Sequence, residues 1–355
     1  MTIHDAPAAL LVGSVNLDNA DEVFDTVGRH LGGLIRSVPD GETGDRLGWV
    51  MWQCDRLRRI PELDVVQALE FTSPGTGRVE TTTFLAPADG VDLRDVRLGP
   101  LGYADHALRS YRSFVAAKRS GALPDEVRFQ VSLPTPMMLA MLFPGHRADA
   151  LPLFEKELAS ELIRIAQTVP HDELAIQWDI AGETQHAEML RWHSSGWTGE
   201  RWPIDDAVDS IALVSAFVPD ASTLGVHLCY GDAGGAHLIE PIDTSAMVDL
   251  AGRLLRNVSR RIDWVHMPVP LERDDEDYVA PLADLHLPPA TTLHLGLVHR
   301  EDGVDGARRR ARSAARVVDR FGVATECGMG REKAADIPGL LDIHRIVAAD
   351  GHPRG

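Results

Sequence analysis

Thiols, imidazoles and carboxylates recur in this chain at the ends of short apolar runs. His227 and Cys229 stand two apart at the end of the run Leu224–Cys229. Alternate residues of a strand face one side, about 7 Å apart at the Cα level, so this imidazole and this thiol share a face. Such a pair suits zinc, which takes histidine nitrogen and cysteine sulfur in tetrahedral sites. The chain has three cysteines, and a second, Cys327, also follows an apolar run. Cys54 fits no donor pattern and reads as a small buried hydrophobe, a reading that must also be weighed for the other two. Two thiols and one imidazole leave a fourth position to fill. His266 is the first choice, with Glu240 and Glu272 as alternatives; read blandly, His266 is a satisfied polar residue.

Two carboxylates stand out beside these donors. Glu42 lies between Gly41 and Gly44, a pattern for a tight turn that presents the acid, and Asp179 ends the apolar stretch Ala-Ile-Gln-Trp. A buried carboxylate is costly unless paired, so at a strand end it is expected to hold a cation such as a substrate ammonium, or to move a proton. His299 reads either as a general acid or as a loop histidine. Ser132, Thr135 and Gln177 complete the polar groups expected to bind substrate.

The elements that must bring these residues together follow from periodicity. Eight β-branched or apolar runs recur: Ala9–Val15, Gly33–Val38, Val127–Leu133, Leu174–Asp179, Leu224–Cys229, Ile262–Met267, Thr292–Val298 and Gly322–Thr325. Amphipathic helical patterns cover Ala20–Leu31, Leu153–Thr168, Asp206–Val218, Thr244–Val258, Gly306–Phe321 and Ile337–Ala348. Strands alternating with helices, and no glycine-rich dinucleotide fingerprint after the first strand, predict an α/β fold of the (β/α)8 TIM-barrel type. The stretch Asp45–Asp125 is too long for one crossover. It carries a Trp-rich helix (Trp49, Trp52) and two runs, Val65–Phe71 and Arg78–Leu85, split by Ser-Pro-Gly-Thr-Gly, which predict a hairpin inserted after the second strand. The chain therefore reads as one barrel domain over 1–355 with an insertion at about 45–125. With Trp49, Trp52, Phe71, Phe84 and Tyr103, that insertion is expected to wall a pocket or to make a homodimer contact. In such barrels the strand C-termini converge on one mouth, where Glu42, Ser132, Thr135, Gln177, Asp179, His227, Cys229, His266, His299 and Cys327 are expected to fall.

Composition narrows the partners. The 53 acidic against 35 basic side chains give a net charge of −18, which removes the attraction that nucleic acid or an anionic membrane requires. No apolar run reaches the roughly 20 residues of a membrane helix. The start, Met-Thr-Ile-His-Asp, lacks the pattern of a signal peptide, and an odd, small number of cysteines suits a reducing compartment, so a cytoplasmic location is expected.

Five ordered motifs carry a family resemblance. Gly13-Ser14-Val15, the Glu42 loop from Asp40 to Arg46, Gln177-Trp178-Asp179, His227-Leu228-Cys229-Tyr230 and Glu326-Cys327-Gly328-Met329 resemble, in order, strand-end motifs of the catalytic barrel of cobalamin-independent methionine synthase. That barrel belongs to the superfamily that includes uroporphyrinogen decarboxylase. The resemblance implies zinc held by His227, Cys229 and Cys327, with Glu42 and Asp179 on the amino group of an amino-acid thiol. It also implies a small-molecule thiol and an alkyl donor, folate-like or carried by a corrinoid protein. The chain departs from the family in places. Ile180-Ala181 replaces the Glu-Pro after the aspartate, the glutamate zinc ligand has no match although His266 stands nearby, and His299 falls about two positions before the acid histidine. A length of 355 residues leaves no room for the second barrel of the full-length enzyme.

The leading expectation is therefore a zinc-dependent alkyl transferase, most directly a methyl transferase, acting on a thiol. The alternatives are a zinc Lewis-acid lyase or hydrolase, which would act without any thiol, and a non-catalytic zinc-binding relic, indifferent to loss of Asp179 or Glu42.

Overall fold

The computed structural model describes residues 9–73, 75–192, 201–231 and 236–350. The residues read for a signal peptide, and Pro74 of the hairpin turn, lie outside them. Seven parallel strands form one curled sheet: β1 (Ser37–Pro39), β4 (Arg128–Pro134), β5 (Leu174–Ile180), β6 (Thr223–Leu228), β7 (Trp264–Pro268), β8 (Thr292–Val298) and β9 (Gly322–Thr325), neighbours in that order. An antiparallel pair, β2 (Leu63–Thr72) and β3 (Val79–Pro87), stands apart. Every residue of β5 is buried, as expected of a parallel strand covered on both faces.

The run Ala9–Val15 takes the eighth stave, but not as a regular strand. It meets both edges of the sheet through isolated bridges, Ala9 to Val323, Ser14 to Gly41 and Val15 to Met329. Its Leu10 and Val15 N–H groups donate to Val323 and Gly41 carbonyls at 2.9 and 2.8 Å, and its Ser14 carbonyl accepts from Met329 at 2.7 Å. The Leu11 and Val12 carbonyls accept from side chains inside the barrel: Gln130 Nε2 at 3.0 and 3.2 Å, and for Val12 also Ser132 Oγ at 3.0 Å and Gln177 Nε2 at 2.5 Å. Those side chains replace ladder bonds, which is why the stave carries no continuous pairing. The second expected run shortens to Ser37–Pro39, because Leu34 N–H turns back to Leu31 at the end of α1 (Ala20–Leu31).

The long segment after β1 splits into two parts of different kind. Its first part is the predicted insertion: α2 (Met51–Leu57), then the β2–β3 hairpin with an irregularity between Val65 and Gln67. Its second part is α3 (Tyr103–Ser120), bracketed by glycines at positive φ, Gly102 at 92° and Gly121 at 76°. Phe114 of α3 packs edge-on against Phe24 of α1 at 5.7 Å between centroids and lies 5.5 Å from Phe129 of β4, so α3 is a barrel helix and not part of the insertion. Its buried stripe (Tyr103, Ala104, Ala107, Ser110, Phe114) is mostly small or polar, a weak periodic signal.

The remaining helices are α4 (Pro136–Ala140), α5 (Arg147–Ala166), α6 (Gly182–Trp192), α7 (Ile204–Ser215), α8 (Ser245–Asn257), α9 (Glu276–Val279), α10 (Gly303–Ala314) and α11 (Ile337–Ala349). The α5 helix starts before Pro152, where the sequence pattern placed its beginning after that residue. Among the described residues no helix is long and apolar enough to cross a membrane.

Candidate metal centre

Parallel strands place their last residues at one mouth, and β6 and β9 face each other there with two strands, β7 and β8, between them. His227 on β6, Cys229 just beyond it and Cys327 just beyond β9 bring their donor atoms within 4.8 Å of one another. The two sulfurs are 3.6 Å apart, and Cys327 Sγ is 3.9 Å from His227 Nε2. Two sulfurs bound tetrahedrally at about 2.3 Å to one ion stand roughly 3.8 Å apart, so the donor set fits zinc with one position left open. The Gly231 N–H donates to Cys229 Sγ at 3.2 Å.

His266 lies outside this donor group. Its Nδ1 is 2.7 Å from His227 Nδ1, and its Nε2 is 3.0 Å from the Thr325 carbonyl. Register explains the contact: His227, His266 and His294 are direct partners on β6, β7 and β8, one layer inside the barrel. Burial pushes His266 down to about 4 and His294 to about 3, and holds His227 far below the usual imidazole range with His266 as a second cause, so all three are neutral. Of the other fourth-ligand choices, Glu240 is 73 % exposed on the far side of His237, and Glu272 lines a second cavity that Cys229 and Cys327 also border, without joining the donor group. Cys54 is buried against the hairpin, its sulfur accepting from Thr83 N–H at 3.3 Å.

The carboxylates face the same centre. Glu42 sits at φ 48°, directly after Gly41 at φ 78°, and its N–H donates to Asp40 Oδ1 at 2.9 Å. Asp40 is in turn ion-paired to Arg46 at 2.7 Å. Asp179 accepts from Gln177 Nε2 at 2.8 Å and from the Trp49 side chain. Burial raises the Asp179 carboxyl to about 7, and burial followed by repulsion from Asp179 lifts Glu42 well above the carboxylate range. Two acids that cannot both be charged at low cost share either a proton or an incoming cation. Glu42 and Trp49, the latter at φ 54°, are the non-glycine residues with positive φ among the described residues, and both border this site. Strain stored next to a binding site is a mark of preorganisation. Gly41→Ala is expected to cost about 1–3 kcal/mol. It forces a left-handed alanine whose Cβ would lie 2.7 Å from Val23 Cγ2; urea unfolding measures the loss.

A cavity of about 250 Å3 joins these groups. Glu42, Asp179, His227, Cys229 and Cys327 form its polar floor, and Trp49, Leu69, Phe71, Phe84, Met138 and Met141 its apolar walls. The hairpin thus walls the pocket, while Trp52 and Tyr103 pack on each other, ring centroids 5.0 Å apart. Ser132, Thr135 and Gln177 do not line the cavity. Ser132 and Gln177 serve the eighth stave, and Thr135 donates to buried Glu183 while capping α4. His299 opens on a second cavity of about 540 Å3, which shares Cys229 and Cys327 with the first and also holds His237 and Glu326. There His299 Nδ1 is 3.9 Å from Glu326, and an ion pair of 3.0 Å to Glu326, assisted by Glu240, outweighs burial and raises His237 to about 9. Trp49 as a partner of Asp179 and the methionine wall were not read from sequence; an indole or a thioether carries no spacing signature.

No protein-family model and no curated protein matches the chain. Solved structures do. One is a B12-independent methionine synthase from Shewanella sp. W3-18-1 in complex with selenomethionine, 14 % identical with 97 % of each chain covered and a TM-score of 0.57. Another is a methyltransferase from Methanosarcina mazei, 12 % identical over 97 % of this chain and 94 % of that one, with a TM-score of 0.50. At such identities the likeness establishes the fold, and it is the fold of the family whose motifs this sequence resembles.

Proposed function

We propose that this protein is a zinc-dependent alkyl transferase, most directly a methyl transferase, whose acceptor is a small thiol. The observation that carries this reading is the His227, Cys229 and Cys327 donor set on the floor of a cavity that also holds the Glu42–Asp179 pair. A structural zinc site would close with a fourth protein donor, and none of the fourth-ligand choices joins the group. Zinc held there would lower the pKa of a substrate thiol, ordinarily near 8.5, into the neutral range.

The protein's own groups do the rest. Glu42 and Asp179 hold the substrate's ammonium and orient its sulfur towards the thiols. Trp49 fixes Asp179, and the Leu69, Phe71 and Phe84 wall keeps water from the sulfur. The second cavity, which Cys229 and Cys327 also border, admits the alkyl donor, folate-like or on a corrinoid protein, and His299, which lines it, is the proposed source of a proton for the leaving group. Three free cysteines suit a cytoplasmic enzyme.

Metal analysis is expected to find one zinc per chain, and X-ray absorption to gain one sulfur neighbour when the acceptor thiol is added. A zinc environment that no thiol alters overturns the proposal.

A further inference from the structure

We infer that His266 is a positioning residue that locks His227 in the one tautomer able to ligate a metal, with a backbone carbonyl of β9 as the source of the constraint. The inference rests on the zinc site of the preceding section only for its consequence; the tautomer itself is a property of the metal-free protein. The carbonyl oxygen of Thr325 can only accept, so the contact of 3.0 Å from His266 Nε2 requires the proton on that nitrogen. A neutral imidazole with its proton on Nε2 presents a lone pair at Nδ1. His227 Nδ1 lies 2.7 Å away and must therefore donate. That leaves His227 Nε2 without a proton, and Nε2 is the atom 3.9 Å from Cys327 Sγ, facing the donor set. His266 is fully buried, and although the Leu228 carbonyl also lies against its ring, the carbonyl that meets hydrogen-bond geometry is that of Thr325, which holds the proton on Nε2.

The arrangement has a further economy. Thr325 precedes Cys327 by two residues on the same strand end, so one segment both supplies a thiol and dictates which nitrogen of the facing histidine is available. His266 contributes to the metal through His227, a different role from the fourth ligand expected of it by sequence.

Nitrogen-15 spectra of the histidine rings in zinc-free protein test this directly. His227 is expected to carry its proton on Nδ1, and His266→Phe, which keeps the volume but removes the acceptor, to shift His227 towards the Nε2–H form. His266→Asn, whose side-chain oxygen falls near the original Nδ1, is expected to restore the Nδ1–H form. With zinc, the Phe variant should bind about 10- to 100-fold more weakly than wild type, and the Asn variant should recover most of that loss. Wild-type His227 protonated on Nε2, or an unchanged tautomer in the Phe variant, overturns the inference. So does X-ray absorption that counts two imidazoles on the zinc. A protein that binds no zinc at all refutes the proposed function and leaves the spectra of the metal-free protein to decide the tautomer.

Discussion

Cys327→Ser is expected to lose zinc while keeping the fold, its affinity falling by more than about 100-fold, beyond what outer-shell changes cost. Serine keeps the shape of the side chain but offers a harder, protonated oxygen where zinc favours a thiolate. The sulfur is only partly buried and sits at the mouth, beyond the last residue of β9. Dialysis against a chelator followed by metal analysis reads the loss, and an unchanged melting temperature of the metal-free protein shows that folding is intact. Cys54→Ser is the contrast. Its sulfur is buried in the hairpin junction, with Thr83 N–H as donor, so the substitution is expected to lower stability and leave zinc at one per chain. Zinc retained by Cys327→Ser, or lost from Cys54→Ser, contradicts the assignment.

Asp179→Asn is expected to stabilise the protein at alkaline pH and to cripple it as an enzyme. The sign follows from linkage. Asp179 titrates near 7 in the folded chain against an ordinary value of 3.8, so the folded state holds a proton that the unfolded state has released between those limits. Its contribution to stability is full below about pH 4 and is lost as pH rises towards 7. That gap corresponds to about 4 kcal/mol. Asparagine is neutral throughout and does not suffer the loss. The variant should therefore be more stable than wild type at pH 8 by a few kcal/mol, with the difference fading towards pH 4 in urea titrations. Acceptor binding should fall about 30-fold or more, because a buried charge pair deprived of one partner loses about 2–5 kcal/mol. Equal stability at pH 8 removes the argument that Asp179 is held there at a cost.

The barrel was legible because parallel strands buried on both faces leave continuous apolar runs, and seven of the eight expected runs are found as strands. Ala9–Val15 was readable as a stave but not as an irregular one, since its bonding depends on glutamines more than a hundred residues away. The α3 helix was hidden for a different reason: its buried face is built from alanine, serine and tyrosine as much as from large apolar groups. At the site, types and spacing revealed the donors that strand ends must carry. They did not reveal which way a histidine ring points. His266 has the chemistry of a ligand, and only the register of β6 on β7 shows that His227 occupies its nitrogen. Gln177 and Ser132 are polar groups at the right depth, spent on backbone carbonyls that a regular strand would have satisfied.

Closure of the barrel falls mainly to interior polar side chains below the rim. Gln130, Ser132 and Gln177 form a girdle that keeps the cylinder shut, with Gln177 also reaching Asp179, while the residues proposed to meet a substrate stand at the rim or hang from the inserted hairpin. Rim and hairpin can therefore diverge to accept new compounds while closure is preserved, which gives this scaffold an evolutionary freedom that a barrel sealed by its catalytic side chains would lack.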